Sequence, residues 1–194
     1  MLFTAALQRF NMRFSADDAI LELGCNESDW LERMAAADPS FRLTGVDIQP
    51  RPCDHPAITM LGGNAFDPAL FPAEQFRWVV ILGALEHFGL GYYGDPVDPA
   101  GDRKTLKNVG QWLLPGGFCY LDVPCQPVFE QNRHFRSYAP SDLDALIKGT
   151  GLREINRAYS LPEPHAGTWC HEPTERLTPY WFAALLLQRP FSDD

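Results

Sequence analysis

The stretch Ile20–Trp30 reads Ile-Leu-Glu-Leu-Gly-Cys-Asn-Glu-Ser-Asp-Trp, and it determines the fold that we predict for this chain. Mostly branched apolar residues run into Gly24, and a short polar turn then leads into a segment with helical apolar spacing. This order predicts a buried strand, a tight turn and the start of a helix. A second apolar strand, residues 42–46, ends at Asp47, which lies 23 residues after Gly24.

A strand–turn–helix–strand–acid unit of this length is typical of doubly wound α/β domains, which bind an adenosine through its ribose hydroxyls. A dinucleotide site needs glycines at the first, third and sixth turn positions, where this chain has Gly24, Asn26 and Asp29. Asp29 would place a negative charge beside the phosphates. S-adenosylmethionine has no phosphate and carries a sulfonium cation, so the turn favours that cofactor. We expect Asn26 to replace a glycine because asparagine enters the left-handed region readily.

The turn also resembles motif I of the class I S-adenosylmethionine-dependent methyltransferases, whose pattern is apolar-apolar-Glu/Asp-x-Gly-x-Gly-x-Gly. Glu22 and Gly24 match this pattern, whereas Asn26 and Ser28 stand in place of the later glycines. The match is moderately specific when it is taken alone.

Later segments resemble the same family in the same order. Asn64 follows two glycines after a short strand at 58–61, where the family commonly has Gly-Asp-Ala. A Leu-Pro-Gly-Gly sequence at 114–117, suited to a type II turn, precedes a predicted fifth strand at 118–123. The segment 86–96, after the apolar fourth strand at 76–82, resembles a sparsely characterised bacterial subgroup of these enzymes but indicates no substrate.

The resemblance implies an α/β fold of the Rossmann-like, doubly wound type, with a mostly parallel seven-stranded sheet whose last strand is antiparallel. We expect one domain over residues 1–194, opened by an amphipathic helix at 2–14 that packs on the sheet or acts as a lid. The sixth and seventh strands are predicted at 151–159 and 180–188. The loops 89–102 and 124–138 leave strand ends, so we expect both of them to line the substrate side.

The predicted cofactor site combines residues from the ends of the first four strands: Glu22, Gly24, Cys25, Asn26, Asp47, Ile48, Asn64, Ala65, Gly83 and Leu85. In the roles that the resemblance implies, Glu22 places the methionine part, Asp47 the ribose and Asn64 the adenine. Ile48, directly after the ribose acid, can cover one face of the adenine.

The substrate side is predicted to include Glu86, Tyr92, Tyr93 and His134. If the acceptor atom is a hydroxyl oxygen, His87 is our first candidate for the base and Asp95 the second. The alternative for His87 is a capping or packing role. Methyl transfer relies chiefly on positioning and electrostatics, so a dedicated catalytic residue is not obligatory.

Composition restricts the partners. The net charge of −9 argues against nucleic acid or an anionic membrane as a partner, and no apolar run is long enough for a membrane span. The chain has no basic leader at its start, and its five cysteines form no Cys-x-x-Cys pair, so we expect a cytoplasmic protein with reduced thiols. We expect no metal site, because neither 53–55 nor 161–178 shows paired ligand spacing. A small-molecule substrate is the expected partner, and the oligomeric state stays open.

Two other functions remain open at this point. The replaced glycines at Asn26 and Ser28 are consistent with a methyltransferase-like scaffold that binds cofactor poorly. A nicotinamide-dependent dehydrogenase is the second alternative, and it is disfavoured by Asp29 and by the missing third-position glycine.

Overall fold

The computed structural model of the chain describes residues 10–160, 169–170 and 181–191. Its strands are β1 (Ala19–Leu23), β2 (Arg42–Asp47), β3 (Ile58–Gly62), β4 (Phe76–Leu82), β5 (Leu113–Cys125), β6 (Glu130–Gln131), β7 (Arg136–Ser137), β8 (Arg153–Ser160), β9 (Trp169–Cys170) and β10 (Trp181–Gln188). Its helices are α1 (Trp30–Ala37), α2 (Gly101–Trp112) and α3 (Pro140–Ile147), with a short 3-10 turn at Leu85–His87.

The main sheet has the strand order β3-β2-β1-β4-β5-β10-β8-β9. The first five strands in this order, from β3 to β5, pair in parallel with their neighbours. By contrast, β10 pairs antiparallel with both β5 and β8. This confirms the predicted Rossmann-like sheet of seven strands with an antiparallel last strand. The two-residue strand β9 adds a short eighth member at the edge.

The central strands are buried on both faces, which explains why they read as continuous apolar runs. Successive side chains of a strand point to opposite faces. Accordingly, Leu21 and Leu23 belong to the apolar cluster that includes residues of α2, and Ile20 belongs to the cluster that includes residues of α1. The sheet therefore lies between two layers of helix.

Two local predictions need correction, and two others lie wholly or mostly outside the described residues. Residues 10–14 form a turn and irregular chain, with Asn11 at a φ of +49°, so the predicted helix does not extend over them. Residues 2–9 of that helix, and nearly all of 161–178, lie outside the described residues. Residues 124–138 are not one irregular loop, because they contain the β6–β7 hairpin.

The Pro-Gly-Gly turn lies inside β5 instead of before it. Phe76 pairs with Leu113 and Trp78 pairs with Phe118, so residues 114–117 stand opposite one residue of β4. Gly116 has a φ of +72°, the left-handed value that the third position of a type II turn requires. The strand thus begins five residues earlier than predicted, and the turn interrupts its pairing with β4.

In this topology the carboxyl ends of β1, β2 and β4 meet at one edge of the sheet. Ligands of open α/β sheets bind at this edge, near the point where the strand order reverses. Within the part of the chain that the structure describes, no helix is long and apolar enough to cross a membrane.

Candidate cofactor and substrate site

A cavity of about 380 Å³ opens at the carboxyl edge of β1, β2 and β4. Its lining residues are Gly24, Asn26, Glu27, Ser28, Asp47, Ile48, Gln49, Asn64, Phe66, Leu82, Gly83, Ala84, His87, Phe88, Tyr93 and Asp95. The volume is in the range of small-molecule and cofactor sites.

The turn after β1 brings the backbone close to the end of β4. Gly24 has a φ of +74°, and a Cβ at this position would stand 2.4 Å from Cβ of Ala84. Glycine is therefore required here for both conformation and space. Asn26, by contrast, is not among the described non-glycine residues with a positive φ, which are Asn11, Asp17 and Glu74. Our expectation that Asn26 adopts the left-handed conformation was wrong.

Asp47 joins the turn to the end of β2. Its Oδ2 accepts a hydrogen bond from the backbone N–H of Asn26 at 3.1 Å, and its Oδ1 accepts one from that of Gln49 at 2.9 Å. Each carboxylate oxygen has further acceptor capacity. The carboxylate is thus held in a fixed orientation on the cavity wall and can still accept hydrogen bonds from a ligand.

Asn64 and Ile48 also line the cavity. The Oδ1 of Asn64 accepts a hydrogen bond from the backbone N–H of Phe66 at 3.2 Å, which fixes the side chain in a local turn. The remaining lone pair and the two amide hydrogens of Asn64 stay available to a ligand.

The cavity has an acidic lining. Among the described residues that line it, Glu27, Asp47 and Asp95 carry carboxyl groups, and none is a lysine or an arginine. A pyrophosphate would be repelled by this lining, whereas a cation would be attracted. The arrangement fits a positively charged ligand without phosphate.

Glu22 lies beneath the turn and is 1% exposed. Neither carboxyl oxygen makes a hydrogen bond of good geometry to the described residues. Burial raises the pKa of Glu22 to about 8, and the nearby Ser28 hydroxyl offsets only part of that shift. Buried polar groups in native proteins are nearly always satisfied. This carboxyl lies behind the cavity wall, so it would act on a ligand only through water or through the turn above it.

Two further buried acidic groups, Asp122 and Glu86, lie under the end of β4. Asp122 accepts a hydrogen bond from the backbone N–H of Gly83 at 2.7 Å and another from the hydroxyl of Tyr120 at 3.2 Å. Burial raises the pKa of Asp122 to about 6 and that of Glu86 to about 8. Gly83, on the cavity wall, is thus held from below by a carboxyl group.

His87 lies on the cavity wall, and its two ring nitrogens face different groups. Its Nδ1 is 2.5 Å from the backbone oxygen of His134, and its Nε2 is 3.9 Å from Oε1 of Glu86. The ring also packs edge-on against Tyr93, with the ring centroids 5.3 Å apart.

The loop 89–100 covers one side of the cavity. Asp95 accepts a hydrogen bond from the backbone N–H of Gly89 at 2.6 Å, while its Oδ1 has no partner among the described residues. The side chain of Gln49 donates a hydrogen bond to the carbonyl oxygen of Tyr93 at 2.9 Å. Asp95 therefore closes the loop on itself, and Gln49 connects the loop to the segment that follows β2.

Arg136 holds this loop from behind, and sequence reasoning did not identify that role. Its side chain is buried and donates hydrogen bonds to the backbone oxygens of Glu86, Phe88 and Pro99 at 2.7 to 3.4 Å. Its Nε lies 3.7 Å from Oδ2 of Asp102. One buried guanidinium thus connects the 3-10 turn that carries His87 to both ends of the loop that carries Tyr93 and Asp95.

Nine predicted site residues line the cavity: Gly24, Asn26, Asp47, Ile48, Asn64, Gly83, His87, Tyr93 and Asp95. Seven others are not on its wall: Glu22, Cys25, Ala65, Leu85, Glu86, Tyr92 and His134. The first five of these point into the core, where each is less than 9% exposed. Tyr92 is 48% exposed and packs on the ring of His134, with the ring centroids 4.1 Å apart.

The prediction missed seven lining residues: Glu27, Ser28, Gln49, Phe66, Leu82, Ala84 and Phe88. Each lies within two positions of a predicted lining residue. Extending the prediction by two residues on either side of each predicted lining residue would have found all of them.

The comparisons with known proteins agree with this architecture. The family model described as Caenorhabditis protein of unknown function, DUF268, matches residues 70–160, which is under half of the chain. No curated protein sequence matches the chain.

Solved structures that resemble the chain include three methyltransferases. An S-adenosylmethionine-dependent methyltransferase of Methanosarcina mazei shares 15% identity over 95% of this chain and 98% of its own, with a TM-score of 0.68. The 1,6-didemethyltoxoflavin-N1-methyltransferase of Burkholderia thailandensis, solved with S-adenosylhomocysteine and 1,6-didemethyltoxoflavin, shares 14% identity over 97% and 78%, with a TM-score of 0.64. The N-methyltransferase NodS of Bradyrhizobium japonicum, in complex with S-adenosylhomocysteine, shares 17% identity over 97% and 84%, with a TM-score of 0.60. The chain therefore has the fold of the class I S-adenosylmethionine-dependent methyltransferases.

Proposed function

We propose that this chain binds S-adenosylmethionine and transfers its methyl group to a small-molecule acceptor. The observation that carries the proposal is the acidic cavity where Asp47 and the Gly24 turn meet at the carboxyl edge of the sheet. The fold supports it, because similar structures hold S-adenosylhomocysteine.

The residues present fit the cofactor. Asp47 would accept hydrogen bonds from the ribose hydroxyls, and Asn64 and Ile48 would contact the adenine. The carboxyl of Glu22, which lies behind the wall, would help to place the methionine part through water or through the turn above it. When bound, S-adenosylmethionine supplies an electrophilic methyl group to the acceptor.

The chain itself would position the cofactor and the acceptor, and it would exclude water and phosphate-bearing ligands. Glu27, Asp47 and Asp95 favour a cationic ligand over a phosphate-bearing one, so the dinucleotide alternative is disfavoured. Phe88 and Tyr93 form the apolar part of the wall near His87. They would keep water from the acceptor while Gly83 and Ala84 shape the end of β4.

Isothermal titration with S-adenosylhomocysteine tests the proposal, with NAD titrated in parallel. We expect the wild-type chain to bind S-adenosylhomocysteine and not NAD. Asp47→Ala should weaken that binding about 10- to 100-fold, since it removes charge-assisted hydrogen bonds worth roughly 1.5–3 kcal/mol. Asp54→Ala removes an exposed carboxylate outside the cavity and should bind like the wild type.

The opposing outcomes are distinct. The absence of heat from the wild-type chain at saturating S-adenosylhomocysteine would favour the scaffold alternative. Unchanged affinity in Asp47→Ala would contradict the placement of the ribose. A thermal melt of both variants establishes that the fold is intact.

A further inference from the structure

The hydrogen bond between His87 and the 132–135 turn determines which ring nitrogen of His87 carries the proton. A backbone carbonyl oxygen can only accept, so Nδ1 of His87 must be the donor in its 2.5 Å contact with the oxygen of His134. In the neutral ring the lone pair then lies on Nε2. His87 lines the cavity, and its Nε2 makes no hydrogen bond among the described residues, since the nearest carboxyl oxygen, Oε1 of Glu86, is 3.9 Å away; the lone pair is therefore open to a ligand.

The turn that presents the His134 oxygen is held by one side chain. Oδ1 of Asn132 accepts hydrogen bonds from the backbone N–H groups of His134 at 2.7 Å and of Phe135 at 3.0 Å. The backbone N–H of Asn132 donates to the oxygen of Phe135 at 3.1 Å. Asn132 is itself exposed and lies outside the cavity, so its contacts serve the shape of the turn.

A proton acceptor on the wall is useful only to some classes of methyl acceptor. The nitrogen of a neutral amine already carries a nucleophilic lone pair, and a thiol ionises readily near neutral pH. A hydroxyl oxygen is a weak nucleophile until its proton is removed, so general-base assistance raises its rate. The rings of Phe88 and Tyr93 beside His87 favour a planar acceptor.

We propose, on the basis of the function proposed above, that the acceptor is an aromatic hydroxyl compound. Nε2 of His87 takes its proton, and Asn132 is a positioning residue that keeps His87 in the required tautomer. As the acceptor oxygen forms its bond to the methyl carbon, the bond from that carbon to sulfur breaks and its electron pair stays on sulfur. The imidazolium ion then releases the proton to water.

The first test reads the tautomer of His87 without any turnover. Long-range ¹H–¹⁵N correlation spectra of the full chain with S-adenosylhomocysteine should show His87 as the Nδ1–H form, assigned by the signals that His87→Gln loses. Asn132→Ala should give a mixture of the two tautomers. Asn132→Asp keeps the acceptor oxygen and should retain the wild-type spectrum. An Nε2–H tautomer in the wild type would overturn the proposal, as would a spectrum unchanged by Asn132→Ala.

The second test compares acceptor atoms on one ring, using 4-methoxyphenol, 4-methoxyaniline and 4-methoxythiophenol with S-adenosylmethionine. We expect methylation of the phenol, a loss of about 100-fold in kcat for His87→Gln, and little change in the KM for S-adenosylmethionine. Methylation of only the aniline or the thiophenol, or of none of the three by a chain that binds S-adenosylhomocysteine, would overturn the acceptor class alone. A chain that binds no S-adenosylhomocysteine would instead contradict the proposed function.

Discussion

Glu22 provides a quantitative test of whether a buried carboxyl group stays protonated in the folded chain. Its carboxyl group is buried and makes no hydrogen bond of good geometry to the described residues. Burial raises its pKa from 4.5 to about 8, so the folded chain keeps a proton that the unfolded chain has released. The unfolded state then binds fewer protons between these two values, and the free energy of unfolding falls as the pH rises through that window. The slope is about 1.4 kcal/mol per pH unit for one such group.

Glu22→Gln removes this titration and keeps the side chain's shape. Between about pH 5.5 and about pH 7.5, the wild type should therefore lose about 2 to 3 kcal/mol more stability than the variant does. Burial also raises the pKa of Glu86 and Asp122, but both groups titrate in both proteins and cancel from the difference. Glu130→Gln, at an exposed carboxyl, controls for the change in net charge.

Urea denaturation at several pH values measures this difference, provided that the slope with denaturant is the same in each protein. The expected result is a flatter pH dependence for Glu22→Gln than for the wild type or Glu130→Gln. Parallel curves for the wild type and Glu22→Gln would refute the reasoning, because Glu22 would then be ionised in the folded chain.

Two further substitutions test the packing around the site. Gly24→Ala should destabilise the chain by about 1–3 kcal/mol more than Gly149→Ala in thermal unfolding. Both glycines have a positive φ, but only a side chain at position 24 would collide with a neighbour, Ala84. Equal losses would mean that the close approach is not required. Arg136→Met should lower the free energy of unfolding by about 3–5 kcal/mol in urea denaturation, because it leaves Asp102 buried without its charge partner. Adding Asp102→Asn should recover part of that loss. A double variant no more stable than the single one would contradict the pairing.

The sequence was informative where structure is local. The run from Ile20 to Gly24 and the acid at Asp47 predicted the first strands and the edge at which they meet, because strand burial and turn geometry depend on neighbouring residues. Asn26 was misjudged because the turn obtains its left-handed residue from Gly24 alone.

Contacts between distant residues could not be predicted in the same way. His87 contacts the oxygen of His134, 47 positions away, and Arg136 contacts the oxygen of Glu86, 50 positions away. Neither contact depends on a spacing that a local pattern records, since both arise only when the β6–β7 hairpin folds against the loop after β4. A single sequence therefore predicted the strand ends on the cavity wall better than the contacts of the loop after β4.

The interior position of β10 has a consequence for biosynthesis. This strand is inserted between β5 and β8, pairing with residues 118–125 on one side and 153–159 on the other. Until residue 188 has emerged from the ribosome, both of those earlier strands present unpaired backbone groups, and β5 is strongly apolar. Such edges are templates for association between nascent chains. Folding of this half of the sheet is therefore expected to finish only after translation has passed β10, and a nascent chain stalled before that point would be prone to aggregate.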